Sequence, residues 1–259
     1  MEWIKKIINS QSVSIYKEKF HRTYLNIFGH RNYKRFAVIG HARTGSNYLF
    51  VGLSTSNCVK MYHEVFAKRN RDIFGREFDL IFPMIFREES RNIKAVGFKL
   101  FYEHLTRHEW EKFLSHKYIR IIHLTRQNRL RTIVSLDIAF KTDQWSLSAN
   151  DKDRQFMEKR ILLDTSKLID RLEEIQEYET FIRDRFKDRY ILEVVYEKLT
   201  TKPEETFQYI GAYLGVDDID LGKITLKKQN PESLDQLIVN YDEVYELLKN
   251  TKYDVYLND

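Results

Sequence analysis

The chain has 259 residues, 42% of them hydrophobic and 14% aromatic, with 9 glycines and 3 prolines. That composition excludes a disordered chain, a collagen-like segment and a long flexible linker. No run approaches the roughly 18–20 apolar residues of a membrane span. The formal net charge of +5 is unevenly spread. Residues 1–60 hold ten Lys/Arg against two acids, residues 61–135 fifteen against nine, and the remainder eighteen against twenty-seven. A basic amino-terminal half suits an anionic ligand, although a solvated surface gives the same count. The one cysteine, Cys58, excludes an intrachain disulfide and a cysteine-cluster metal site. With no apolar stretch of secretory type at the start, the expectation is a cytoplasmic, reducing compartment.

Residues 1–34 read as an N-terminal helical extension ahead of a domain over 35–259. Trp3, Ile4, Ile7 and Ile8 share a helical face beside Lys5 and Lys6. Such a helix suits docking on the domain, peripheral contact with a membrane, or pairing in a homodimer. Residues 35–40 are a short apolar run ending in glycine, a buried strand. A loop over 41–47 follows, and 48–53 opens a helix. Residues 58–62, 95–100, 118–124 and 190–196 read as four further strands. Helices are predicted near 106–114 and 129–140. Residues 156–187 carry apolar positions at 161, 168, 172, 175, 182 and 186, a long amphipathic helix. Residues 203–214 form a helix opened by Pro203 and closed by Gly215. The end of the chain reads as a loop over 227–231 and a helix near 232–249. Strands alternating with helices predict one α/β domain, a central parallel sheet flanked by helices.

Gly40 and Gly45 stand five apart between a strand and a helix, where backbone N–H groups and a helix N-terminus hold phosphate oxygens. The spacing is half of a Walker A motif. Ser46-Asn47 occupy the positions of its Lys-Ser/Thr pair, so the lysine for the β/γ-phosphates and the Mg²⁺-binding hydroxyl are missing. Arg43 offers a cation inside the loop, and Thr44, Ser46 and Asn47 add neutral donors. An ordinary strand-to-helix turn capped by Thr44 or Ser46 is the simpler alternative.

Ala42-Arg43-Thr44-Gly45-Ser46-Asn47-Tyr48-Leu49 resembles the 5′-phosphosulfate-binding loop of sulfotransferases that use 3′-phosphoadenosine 5′-phosphosulfate (PAPS). It is most similar to bacterial carbohydrate sulfotransferases of the nodulation-factor and trehalose 2-sulfotransferase type. The resemblance implies a P-loop-like sulfotransferase fold, PAPS as co-substrate, and a carbohydrate or glycolipid acceptor. It places Arg43 where the cytosolic enzymes have a lysine that contacts the bridging oxygen and sulfuryl group. Thr44, Gly45, Ser46, Asn47 and Tyr48 surround the same group. Arg126, ending Ile121-Ile122-His123-Leu124-Thr125-Arg126, and Ser135 resemble the family's 3′-phosphate site. Their offset of nine, against the commoner eight, leaves Arg129 as an alternative holder. A fork of guanidinium donors and a hydroxyl suit a terminal phosphate.

Val195-Tyr196-Glu197-Lys198-Leu199 followed by Pro203 resembles a structural segment of the family, and Ala139 to Trp145 a stretch after its 3′-phosphate helix. Lys227-Lys228-Gln229-Asn230-Pro231 and Asn240-Tyr241-Asp242-Glu243 resemble its C-terminal region, which implies a basic loop closing over the nucleotide. Lys227 or Lys228 then lies near the 3′-phosphate, Lys228 being carried as the ligand; exposed loop lysines are the alternative. Residues 1–34 and 67–92 match nothing in the pattern, and the charged and aromatic stretch 67–92 is expected to shape acceptor choice.

Sulfuryl transfer to a hydroxyl needs a base within hydrogen-bond reach and cations at the leaving oxygen. The resemblance points to Glu64, just after the second strand, as general base. Burial between Tyr62, Val65 and Phe66 would raise its pKa, and Arg43 would oppose that. A structural carboxylate paired with a basic neighbour is the alternative. His104 is a weaker candidate base, His63 is adjacent, and Lys99 is read as a contact to acceptor or sulfate, or as a solvated strand lysine. The eight histidines show no ligand spacing, so no metal is expected. No base-stacking motif accompanies the basic half, so nucleic acid is not an expected partner. The competing functions are a P-loop-like phosphotransferase and a non-catalytic glycan- or nucleotide-binding protein.

Overall fold

The computed structural model describes residues 20–74, 77–146 and 158–258. The described chain starts in helix α1 (20–28), which docks through buried Leu25. Arg22 donates to Glu88 O at 3.0 Å and lies 3.6 Å from the Glu89 carboxylate. The apolar positions predicted over Trp3–Ile8 lie outside the described residues.

The strands are β1 (Lys34–Gly40), β2 (Val59–Tyr62), β3 (Ala95–Phe101), β4 (Arg120–Thr125) and β5 (Ile191–Val195). They form one sheet in the order β2-β3-β1-β4-β5, every pair parallel. Parallel strands need crossovers, and these are helical. Helix α2 (Ser46–Ser54), α3 (Lys68–Phe74) and α4 (Phe78–Ile85) precede β3; α5 (Arg107–Ser115) leads to β4; α6 (Arg129–Thr142) and α7 (Thr165–Phe186) lead to β5. After β5 come α8 (Tyr196–Thr201), α9 (Pro203–Leu214), α10 (Leu234–Leu237) and α11 (Tyr241–Leu248). No helix among the described residues is long and apolar enough to cross a membrane.

All five strands stand where the sequence places them, within two residues. Their near-continuous apolar runs reflect burial on both faces. Ala37, Ile39, Val96, Phe98, Leu100 and Ile121 pack into one core with α4, α5 and α7. Phe36, Val38, Ile122 and Leu124 alternate onto the other, against α2 and α9. Two helices differ from their predicted bounds. The long helix starts at Thr165 because Asp164 caps it, accepting from Ser166 N at 3.1 Å. Ile161, ahead of that cap, is held in a parallel bridge to Ile238. The same bridge breaks the helix expected over 232–249. Asn240 completes the break by bonding both the N–H and the carbonyl of Leu163, at 3.0 and 2.9 Å. The stretch 67–92 supplies α3 and α4, with Pro83 inside the latter.

The strand order reverses around β1, so the loops after β1, β3 and β4 open at the carboxyl edge on either side of it, where open parallel sheets bind ligands. Packing beneath that edge is tight. A Cβ on Gly97 of β3 would stand 2.5–2.6 Å from ring carbons of Phe36. Gly97→Ala is therefore expected to cost about 1–3 kcal/mol by overpacking, measured by urea denaturation; a loss below about 0.5 kcal/mol would show that the Phe36 ring yields freely.

Candidate active site

The turn after β1 holds two departures from ordinary backbone, on either side of Thr44. Arg43 has φ 70° and Gly45 φ 88°, both left-handed. The position suits glycine at 45 doubly, because a Cβ there would lie 2.6 Å from Cδ2 of Tyr196. For Arg43 the conformation costs about 1–2 kcal/mol, so it persists only where the surroundings fix it. Thr44 fixes the turn from inside. It is 3% exposed and its hydroxyl donates to His41 O at 2.8 Å. Its side chain is thus turned away from the cleft. The first helical bond of α2 runs from Leu49 N to Gly45 O, 3.1 Å. The N–H groups of Ser46, Asn47 and Tyr48 precede it at the positive end of the helix, an arrangement that favours an anion.

The Arg43 guanidinium reaches across the cleft and donates from each of its three nitrogens to a neutral oxygen. Nε donates to Ser135 Oγ at 3.0 Å, one terminal nitrogen to Trp145 O at 2.8 Å, and the other to Gln229 Oε1. Burial, with neighbouring Arg126 adding to it, brings its pKa down to about 10, so it stays a cation at neutral pH. Arg126, 8% exposed, lies with its guanidinium carbon 4.6 Å from the centroid of the Tyr196 ring. The alternative, Arg129, is tied elsewhere: it bonds Glu179 at 2.7 Å and the Tyr256 hydroxyl. The structure therefore brings Arg126, not Arg129, to the cleft beside Ser135.

Arg131 also lines the cleft and was not singled out from sequence. It donates to Glu232 O at 2.8 Å and so anchors the 227–232 segment to α6. Its spacing of four from Ser135, on the same helical face, was the available signal. Lys227 and Lys228 line the cleft from that segment. Asn230 donates to Ser135 Oγ at 3.1 Å.

Glu64 lines the same cleft from the segment after β2. Its carboxylate lies 3.1 Å from Lys99 Nζ and 3.0 Å from Arg69. Burial would push the carboxyl up, but Lys99 and Arg69 outweigh it and hold the pKa below the usual value. The cations that face Glu64 are thus Lys99 and Arg69, rather than the Arg43 expected from sequence. Lys99, read as a contact or a solvated lysine, is 1% exposed and lies behind the cleft lining. His63 stacks on Phe50 with centroids 3.7 Å apart. Burial brings the His104 imidazole down to about 4, and its Nδ1 accepts from Phe101 N at 3.1 Å.

These groups enclose one cleft of about 600 Å³. Among the described lining residues Arg43, Arg69, Arg126, Arg131, Lys227 and Lys228 face a single carboxylate, Glu64. The model of the Stf0 sulphotransferase family matches residues 103–243. The chain belongs to the Stf0 sulphotransferase family. Among solved structures it is similar to a sulfotransferase from Alicyclobacillus acidocaldarius, at 16% identity over 82% of this chain and 89% of that one, TM-score 0.48. It is also similar to mouse sulfotransferase SULT7A1 complexed with PAP, at 13% identity over 74% and 62%, TM-score 0.37. No curated protein matches at a significant level.

The ion pair gives this sulphotransferase a defined acid response. With the folded carboxyl below its unfolded value of roughly 4.3, the pair stabilises fully above that value. Its contribution is lost as pH falls through the depressed folded value. Replacing Lys99→Met is expected to move the Glu64 carboxyl titration up by at least about one unit, followed by ¹³C NMR of glutamate carboxyls. An unmoved titration would mean that Arg69 alone sets it.

Proposed function

We propose that this sulphotransferase carries the sulfuryl group of PAPS to a hydroxyl of a carbohydrate or glycolipid acceptor, with Glu64 as general base. The observation that carries the reading is the charge of the cleft lining: among the described residues Arg43, Arg69, Arg126, Arg131, Lys227 and Lys228 share it with one carboxylate, Glu64, and the first residues of α2. The donor has two anionic ends, and the residues fit both. Arg43 with the N–H groups of Gly45, Ser46, Asn47 and Tyr48 suits the 5′-phosphosulfate. Arg126, Ser135 and Lys228, with Arg131 behind them, suit the 3′-phosphate. PAPS supplies an activated sulfuryl group whose leaving phosphate gains negative charge, and Arg43 is the cation closest to the loop that would meet that charge. Anionic oxygens in place of the neutral acceptors now on Arg43 pair an ionised donor with an ionised acceptor, which adds charge attraction to the hydrogen bonds.

Glu64 takes the proton of the attacking hydroxyl. Its depressed pKa keeps it ionised and ready at neutral pH, at the expense of basicity. His63 and Phe101 line the same cleft and give it the aromatic faces of an organic-ligand pocket. Arg69, whose side chain is 65% exposed, marks the side open to the acceptor. The single cysteine supports a reducing, cytoplasmic setting. Phe20, Tyr24, Ile27 and Phe28 form an exposed apolar stripe on α1, which supports that helix as a contact surface for a membrane or a second copy.

Isothermal titration with adenosine 3′,5′-bisphosphate tests the donor site. Binding is expected to exceed that of AMP, and Arg126→Met to weaken it by about 10–100-fold, the worth of one charged hydrogen-bonding group. Equal affinity for AMP would remove the 3′-phosphate assignment. In labelled-sulfate transfer from PAPS to a glycan and glycolipid panel, Glu64→Gln is expected to lower kcat by about 10²–10⁴ with bisphosphate affinity retained. Undiminished turnover would place the base elsewhere.

A further inference from the structure

Behind the cleft lining, one buried lysine touches both the donor loop and the candidate base. Lys99 Nζ is 2.6 Å from Asn47 Oδ1 and 3.1 Å from Glu64 Oε1. Asn47 belongs to the first turn of α2, and its other amide atom donates to Trp145 O at 3.2 Å. Its orientation follows from chemistry: an ammonium only donates and a carbonyl only accepts, so Oδ1 must face Lys99 and Nδ2 Trp145. Trp145 O is the same oxygen that receives Arg43. A continuous chain therefore runs from Arg43 through Trp145 O, Asn47 and Lys99 to Glu64.

Lys99 rises from the β3 face that also carries Gly97, and no other carboxylate is paired with it among the described residues. A buried ammonium with one partner would be held poorly, because burying it costs more than a single contact returns. Asn47 supplies the second acceptor, and with it a fixed position.

We propose that the Asn47 side chain is a positioning residue for Lys99, and through it for Glu64, rather than a ligand of the sulfuryl donor. This rests on the sulfuryl-transfer reading above. It assigns the asparagine of the loop a task different from its backbone N–H. The backbone faces the anion site, while the side chain points beneath it and holds the cation that orients the base. The groups facing Glu64 are Lys99 from β3, Arg69 from α3, and His63, His104 and Glu103 from the flanking segments. Of these, only Lys99 is fixed by the donor loop.

The test is a double-mutant cycle with Asn47→Ala and Lys99→Met, read three ways. First, Asn47→Ala is expected to lower kcat roughly 10–100-fold, as a misplaced reacting group does, while the Kd for adenosine 3′,5′-bisphosphate stays within about threefold. Second, in the Lys99→Met background the same substitution is expected to change kcat less than about twofold, since the effects of coupled residues do not add. Third, in the ligand-free protein, ¹³C NMR is expected to show the Glu64 carboxyl titrating at higher pH in Asn47→Ala than in wild type.

If bisphosphate affinity falls in step with the rate, or the two substitutions multiply, Asn47 is a donor ligand and the proposal is overturned. An unchanged Glu64 titration overturns it as well. Failure of the wild-type protein to bind the bisphosphate or transfer sulfate would instead strike the functional reading, and the NMR arm would still decide the relay.

Discussion

The site depends on a close approach between two distant parts of the chain, Gly45 and Tyr196. The Tyr196 ring fills the space where a side chain at position 45 would be. On the same residue the Arg126 guanidinium rests at 4.6 Å from the ring centroid, a cation–π contact worth about 0.5–2 kcal/mol. One aromatic ring at the end of β5 thus sets the height of the loop after β1 and the place of the cation after β4. These three segments lie at neighbouring carboxyl ends of the sheet only because β1, β4 and β5 are adjacent and parallel. The left-handed turn, the exposed N-terminus of α2 and the buried arginine all follow from that packing.

Around this support the charges are separated. Cations gather where the loop, α6 and the 227–232 segment meet, and the carboxylate stands beyond them with its own lysine beneath. Separation matters because an arginine paired with a carboxylate would offer an anionic ligand less net charge. Among the described residues Arg43 is held by neutral oxygens, so its charge is not offset by a carboxylate there. Glu64 has strong cationic partners, and they keep it ionised without joining it to Arg43. Burial strengthens both arrangements, since fields fall off less in the protein interior than in water.

Much of this was legible from residues in order. The strand–turn–helix order around Gly40, Arg43 and Gly45 is readable from the sequence and is the order found. Arg126 and Ser135 are marked only by their resemblance to a 3′-phosphate site, whereas Pro203 and Gly215 bracket α9 as punctuation should. What escaped reading depends on the third dimension. Lys99 looks like a strand lysine facing water until Asn47 and Glu64 are placed over it. Arg129, the alternative to Arg126, is set apart by Glu179 on α7 and by Tyr256 near the end of the chain. Helix α4 was hidden because its residues are apolar nearly all round and Pro83 interrupts it, so neither periodicity nor propensity points to helix. The break at 238–240 arises from pairing with residues 161–163, which no local window contains.

In the proposed function the loop turned about Gly45 takes the phosphosulfate end of the donor, and Arg126 with Ser135 takes its 3′-phosphate. The most direct measurement is a crystal structure of the complex with adenosine 3′,5′-bisphosphate. The 5′-phosphate is expected against the N–H groups at the start of α2 and the Arg43 side chain, and the 3′-phosphate against Arg126 and Ser135. A nucleotide bound in the reverse sense, or outside this cleft, would contradict that reading.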